Sequence, residues 1–159
     1  MANSSNPDLD GTDRALVSAL LADARLPNNR LAEAAGVAPS TALVRGRALL
    51  DRGVIRGFHA EVDLAQVGRP VQALVAVRLR AHDRTRIDAF SHRVPRLPEV
   101  VATYHVAGMD DYVLHVAVPS AEALRDFVLD QLTTDPVVGH TETSLVFSVH
   151  RGNSGPLPT

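Results

Sequence analysis

Residues 29 to 57, NRLAEAAGVAPSTALVRGRALLDRGVIRG, restrict the fold of this chain more than any other stretch. Leu31, Ala32 and Ala35 recur at helical spacing, Gly36 can take the left-handed backbone that ends a helix, and Pro39 suits the first position of the next one. Only about three residues separate the two helices, the connection found in a helix-turn-helix. From Pro39 onward the spacing puts Ala42, Leu43, Gly46, Leu49 and Leu50 inward, and Ser40, Thr41, Val44, Arg45, Arg47, Ala48 and Arg52 outward, until Gly53 ends the helix. An outward face of hydroxyls and guanidinium groups suits the major groove of DNA. Such a helix reads base edges from its N-terminal end, so Ser40 and Thr41 can approach phosphate or base, with Val44 beside them. Arg45 can fork onto a guanine or a phosphate, while Arg47, Arg52 and Arg56 sit nearer the DNA backbone. The plainer alternative is a solvated arginine face with no partner; the short turn before it favours DNA.

The net charge of -2 looks wrong for a DNA binder until it is divided along the chain. Between Gly36 and Ala60 four arginines face a single acid, Asp51, whereas residues 61 to 159 carry nine arginines and twelve acids. Phosphate contacts respond to charge within a Debye length of about 8 Å, so a local positive field suffices, and the acidic remainder is not expected to touch DNA. With 159 residues and 45% apolar content, the chain can hold one ordinary domain or two small ones. No apolar run approaches the roughly eighteen residues of a membrane span, and the first twenty residues lack the order of a signal peptide, so a cytoplasmic protein without a membrane partner is expected. The absence of cysteine removes disulfide frameworks, thiolate nucleophiles and thiolate metal sites.

Ahead of the motif, Leu9, Leu16, Val17, Leu20 and Leu21 follow a helical period, with Asp10 or Thr12 as cap, which completes a three-helix head. Ile55 to Val62 reads as a short strand and Asp63 to Pro70 as a linker, giving one domain over residues 8–62 and another over 70–150. The polar and Pro/Gly-rich ends, residues 1–8 and 151–159, read as disordered tails.

Beyond the linker the period changes. Val71 to Leu79 is strand-like, Thr85 to Val94 helical, and Val100 to Val106 a second strand; Asp111 to Val118 is a third strand, Ser120 caps a second helix, and Thr143 to Val149 is a fourth strand. This βαββαβ order is the ferredoxin-like arrangement, so the fold class is α+β. Around the Gly108 to Asp111 turn, Tyr104, Val106, Tyr112, Leu114, Val116 and Val118 are expected on one face and Thr103, His105, Val113, His115 and Ala117 on the other. Two helices cover one face only; the other, still partly apolar, calls for a second subunit, and a dimer supplies two recognition helices.

Several segments resemble the Lrp/AsnC, or feast/famine, family of transcription factors. They are LDGTDRALVSALLADAR (Leu9 to Arg25), LAEAAGVAPS (Leu31 to Ser40), RALLDRGVIRGFHAEVD (Arg47 to Asp63), PEVV (Pro98 to Val101), GMDDY (Gly108 to Tyr112) and TETSLVF (Thr141 to Phe147). The resemblance spans about Leu9 to His150 and implies a winged or simple helix-turn-helix domain followed by a ferredoxin-like domain that dimerises through its sheet. It further implies dimers that often assemble into octamers and bind small effectors, commonly amino acids. It places the effector at Gly108, Met109, Asp110 and Asp111, near Thr141 and Thr143. Glycine admits backbone N–H groups to a carboxylate and an aspartate receives an ammonium, although a hairpin turn favours Gly and Asp for its own reasons. Three positions depart from the family: Ala38 replaces a capping serine, Gly46 a buried branched residue, and Val44 a frequent arginine.

The expected function is therefore sequence-specific binding of double-stranded DNA, modulated by an amino-acid-like effector and needing no cofactor. A stand-alone amino-acid sensor is the alternative, weakened by the intact first sixty residues. An enzyme is not expected: no nucleophile elbow or phosphate loop is present, and His105 with His115, though readable as neighbours, lack the further ligands of a metal site. An RNA-recognition module shares the βαββαβ order but stacks bases on aromatics, which are only 4% of this chain.

Overall fold

The computed structural model describes residues 9–80 and 84–150, so both tails lie outside the described residues. Within these limits the chain forms two compact units, divided between Glu61 and Val62.

The N-terminal unit is three helices: α1 (Gly11–Ala22), α2 (Asn28–Ala35) and α3 (Pro39–Asp51). Each boundary has a local cause. The Asp10 carboxylate accepts the Asp13 N–H at 2.8 Å and starts α1. Gly36, at φ 66°, ends α2 in the left-handed conformation, and Pro39 opens α3. Leu16, Leu31, Ala32, Ala42 and Leu49 form the buried centre, flanked by Leu9, Leu20, Val37 and Ile55. Ile55 to Val62 is not a strand. Its unit contains only helices among the described residues and offers no partner for a ladder; Ile55 instead donates to the carbonyl of Leu49 at 3.1 Å.

Helix α3 begins without a side-chain cap, because Ala38 has none to offer, and carries Gly46, whose missing Cβ would meet nothing within 4 Å. Two substitutions should therefore stabilise this unit. Ala38→Ser should add about 1 kcal/mol through capping and Gly46→Ala about 1 kcal/mol through helix propensity, both read as higher urea midpoints at unchanged slope. An unchanged or lower midpoint for Gly46→Ala would mean that the open space beside it is used.

The C-terminal unit is a four-stranded antiparallel sheet in the order β2-β3-β1-β4, formed by β1 (Val71–Leu79), β2 (Val100–His105), β3 (Tyr112–Val118) and β4 (Val138–Val146). Helices α4 (Arg84–Arg93) and α5 (Ala121–Phe127) follow β1 and β3; α4 leads into a 3-10 turn at Val94–Arg96 and α5 into a π-helical turn at Val128–Thr133. Ser120 caps α5 through the Ala123 N–H. Ala73, Val75 and Val77 of β1 and Tyr112, Leu114, Val116 and Val118 of β3 pack against Phe90, Val94, Leu124, Phe127 and Leu132. Strand β4 starts at Val138, five residues before Thr143, and ends at Val146, because the chain pairs with β1 from Gln72 to Leu79 through a bulge at Arg78/Leu79.

The faces of β2 are the reverse of those expected. His105 pairs with Tyr112 and Tyr104 with Val113, so Thr103 and His105 share the helix-covered face while Ala102 and Tyr104 lie on the open one. The Val106 N–H bonds to the Asp111 carbonyl at 2.9 Å, which leaves a four-residue loop, 107–110. That loop fixes the parity of the hairpin, and a one-residue slip moves every side chain of a strand to the opposite face.

Candidate functional site

Three positions along α3 form its inner edge: Ala42, Arg45 and Leu49, at i, i+3 and i+7. This spacing turns Arg45 toward α1 rather than outward. Its guanidinium donates to Asp10 Oδ2 at 2.6 Å and Asp13 Oδ1 at 3.0 Å, and Arg52 reaches Asp13 Oδ2 at 3.4 Å. Asp13 is 5% exposed, the one buried charged residue of the described set, and two arginines serve its two oxygens. Asp10 and Asp13 were missed as members of the site. Their signal was one acid at the start of α1, legible as a cap, and a second in its first turn; neither was legible as a partner for residues over thirty positions away.

Ser40, Thr41, Val44 and Arg47 are exposed on the opposite side of α3, with Val44 66% accessible. Arg47 and Arg56 enter no hydrogen bond or ion pair with the described residues. Leu43 and Leu50, expected inside, are 45% and 40% exposed and line a shallow groove with Leu20, Leu26, Leu31 and Phe58.

Asp10 also makes this unit sensitive to acid. The Asp13 N–H, and after it the Arg45 guanidinium, hold the Asp10 carboxyl below its ordinary range. A depressed folded-state pKa gives stability that is present above the unfolded value and lost as pH falls through the folded one. Acid titration of helicity should thus show this contribution fading below pH about 4. Asp10→Asn keeps the capping oxygen but not the charge, so its acid branch should be flatter than that of the wild type; equal slopes would remove Asp10 from the acid response.

In the C-terminal unit the turn after β2 is fastened to β1. Arg78 donates to the Met109 carbonyl at 2.6 Å and lies 3.5 Å from Asp110 Oδ1. Asp111 Oδ2 accepts the Leu79 N–H at 2.7 Å, and the Asp111 N–H donates to the Val77 carbonyl at 3.0 Å. Gly108, at φ 149°, has a backbone that other residues rarely adopt, and Met109 is 78% exposed. Thr141 pairs with Val77 and Thr143 with Val75. Val77 therefore brings Asp111 and Thr141 to its two sides, whereas Thr143 lies two positions further on, beneath α5 with Leu124, Val128 and Leu129. Arg78 is a further member that sequence reasoning did not name.

His105 and His115 do not meet. His105 stacks on Tyr112 at 4.7 Å between ring centroids on the covered face, and the His115 ring hydrogen-bonds Gln72 Oε1 at 2.9 Å on the open face. The hairpin parity that reversed β2 separates them.

Two family descriptions match this chain in the same order as its two units. The AsnC-type helix-turn-helix domain matches residues 9–50, and the Lrp/AsnC ligand binding domain matches residues 72–154. The HTH-type transcriptional regulator AldR of Mycobacterium tuberculosis is 46% identical over 145 residues, covering 91% of this chain and 81% of the relative. The crystal structure of that AldR superposes with a TM-score of 0.84 at 39% identity, over 95% of this chain and 99% of the other. A transcriptional regulator of Neisseria meningitidis, crystallised as a complex with L-Met, also gives 0.84, at 29% identity over 94% and 96% of the two chains. With both domain matches, this identity and this agreement of folds, the chain belongs to the Lrp/AsnC family of helix-turn-helix transcriptional regulators.

Proposed function

We propose that residues 8–62 bind duplex DNA through the exposed side of α3, and that residues 70–150 oligomerise and bind a small amphoteric effector, an amino acid, that adjusts DNA affinity. The observation that carries this reading is the division of α3: one edge is locked to α1 by Asp10 and Asp13, and the other presents Ser40, Thr41, Val44 and Arg47 to solvent. A recognition helix needs both properties, a fixed orientation and free donors. In this reading Arg47 and Arg56 meet phosphate or base directly, Val44 offers an apolar contact to a thymine methyl, and Arg45 and Arg52 keep α3 in place while their outer N–H groups face the DNA backbone. The effector reading rests on the family's turn at Gly108, Met109, Asp110 and Asp111, with Thr141 and Thr143 nearby, and on the L-Met complex of the Neisseria relative. The open face of the sheet makes a homodimer, and further contacts between dimers an octamer. The cytoplasm is the compartment in which such a regulator meets DNA; no helix among the described residues is long and apolar enough to cross a membrane.

Footprinting on the DNA flanking the protein's own gene, with and without amino acids, tests binding and sensing together. Arg47→Ala should weaken specific binding by about 1 to 3 kcal/mol, roughly 5- to 150-fold, and flatten the salt slope by about one. Unchanged affinity and slope would take the exposed side of α3 out of the interface.

A further inference from the structure

Two of the four arginines between Gly36 and Ala60, Arg45 and Arg52, are ion-paired with carboxylates of α1, so the positive field of the folded unit is smaller than the sequence count implies. The two carboxylates differ in kind. The Asp13 side chain is 7% exposed and accepts from both arginines, whereas that of Asp10 is 52% exposed and pairs with Arg45 only. Breaking an enclosed pair is costly because a charge is left buried, while an exposed pair is weak and readily exchanged. Asp13 therefore holds α3, and Asp10 is the partner that can be given up.

The geometry around Asp10 is that of an occupied anion site. Oδ1 accepts the Asp13 N–H at 2.8 Å at the start of α1, and Oδ2 accepts from Arg45 at 2.6 Å. Backbone N–H groups at a helix N-terminus and a guanidinium are the donors that bind phosphate oxygens, and a carboxylate presents them with an equivalent pair of acceptors. The Arg45 side chain is 37% exposed, and its hydrogen bonds with the described residues go to Asp10 and Asp13 alone.

We infer that Asp10 is a tethered stand-in for a DNA phosphate, which occupies Arg45 in the free protein and restrains the affinity of the N-terminal unit for DNA. This rests on the reading of α3 as the DNA-contacting helix. On binding, Arg45 keeps its bond to Asp13 and exchanges its bond to Asp10 for one to a phosphate oxygen. The released carboxylate then faces the DNA backbone and repels it. Phosphate contacts are common to all sequences, so the restraint acts on every duplex and bears hardest on non-specific complexes, which have no base contacts to offset it. Asp10 thereby sets a threshold that only a sequence offering base contacts exceeds, a repulsion that works against wrong partners.

Asp10→Asn keeps the helix cap, since asparagine caps as well as aspartate, and removes only the charge. On a duplex of random sequence the full-length variant should bind about fivefold or more tightly than the wild type at low salt, with a smaller gain at physiological salt, where screening is stronger. Asp10→Ser, a second uncharged cap, should give the same gain, and helical ellipticity shows that both variants fold. In an Arg45→Gln background the gain from Asp10→Asn should largely vanish, because no guanidinium is released. An Asp10 that served only to position α3 predicts the opposite sign, weaker binding once its charge is gone. Weaker or unchanged binding by both uncharged variants overturns the inference, as does an equal gain with and without Arg45, which would make Asp10 a charge acting on DNA at a distance. Arg47→Ala separates the two ways of failing. If it binds as the wild type does, the reading of α3 falls and this inference with it; if it weakens binding while Asp10→Asn does not strengthen it, only the stand-in is lost.

Discussion

Leu49→Ala is expected to unfold the N-terminal unit and abolish DNA binding while the C-terminal unit remains folded and assembled. Leu49 is fully buried, and the fully enclosed part of the core it completes is Leu16, Leu31, Ala32 and Ala42, with Leu9, Leu20, Val37 and Ile55 only partly buried around it. Two of those four are alanines, so little apolar surface remains to close over the gap. Truncating a buried leucine costs about 2 to 5 kcal/mol, and a unit of this size holds only a few kcal/mol in reserve. The loss should be visible as missing helical ellipticity and faster amide exchange confined to residues 9–61, together with loss of the footprint. Sedimentation should be unaltered, because the proposed oligomer contacts belong to the other unit. Normal melting and full DNA affinity for Leu49→Ala would show that α3 is held mainly by the Asp13 network and not by its core.

Leu74→Glu should turn the assembled protein into a monomer. Leu74 lies on the open face of the sheet between His115 and Ser144, 41% exposed, with Val113 of β3 and, one strand further, Tyr104 of β2 on the same face. An unpaired carboxylate placed in a subunit interface costs several kcal/mol, beyond what a typical dimer can absorb. Val113→Glu should behave in the same way. Since each substitution begins on a surface that the isolated chain leaves open, the fold should survive, with the helix-side core of Val75, Leu114 and Phe90 untouched. Sedimentation at micromolar concentration decides the matter: an unchanged mass for both variants would mean that subunits meet elsewhere. DNA affinity should fall along with the mass, because a monomer brings one recognition helix to a two-fold site.

The residues that could be read in advance are those whose causes are local. Asp10 caps α1, Ser120 caps α5, Gly36 ends α2 and Pro39 opens α3, each through contacts within a few positions of itself. The βαββαβ order was legible for the same reason, since period and turn residues mark elements one at a time. The alternation along β3 was legible too, with Tyr112, Leu114, Val116 and Val118 buried on one side. The resemblance carried by GMDDY and TETSLVF then placed a candidate effector turn, which neither period nor composition would have singled out.

What the sequence determined by itself, then, is the helices and the four strands of the C-terminal sheet, their order, and that the positive charge gathers on α3. Tertiary structure decided how elements face one another. The parity of a four-residue loop assigned Tyr104 and His105 to faces, and the helical unit around Ile55 to Val62 left that extended segment without a strand to pair with. Asp13, more than thirty residues before Arg45 and Arg52, took both side chains from the outer surface of α3. Such outcomes depend on contacts between residues far apart in the chain, whose energies appear only once packing has brought them together; capping, turn chemistry and hydrophobic period act within a few residues and are written in the sequence from the start.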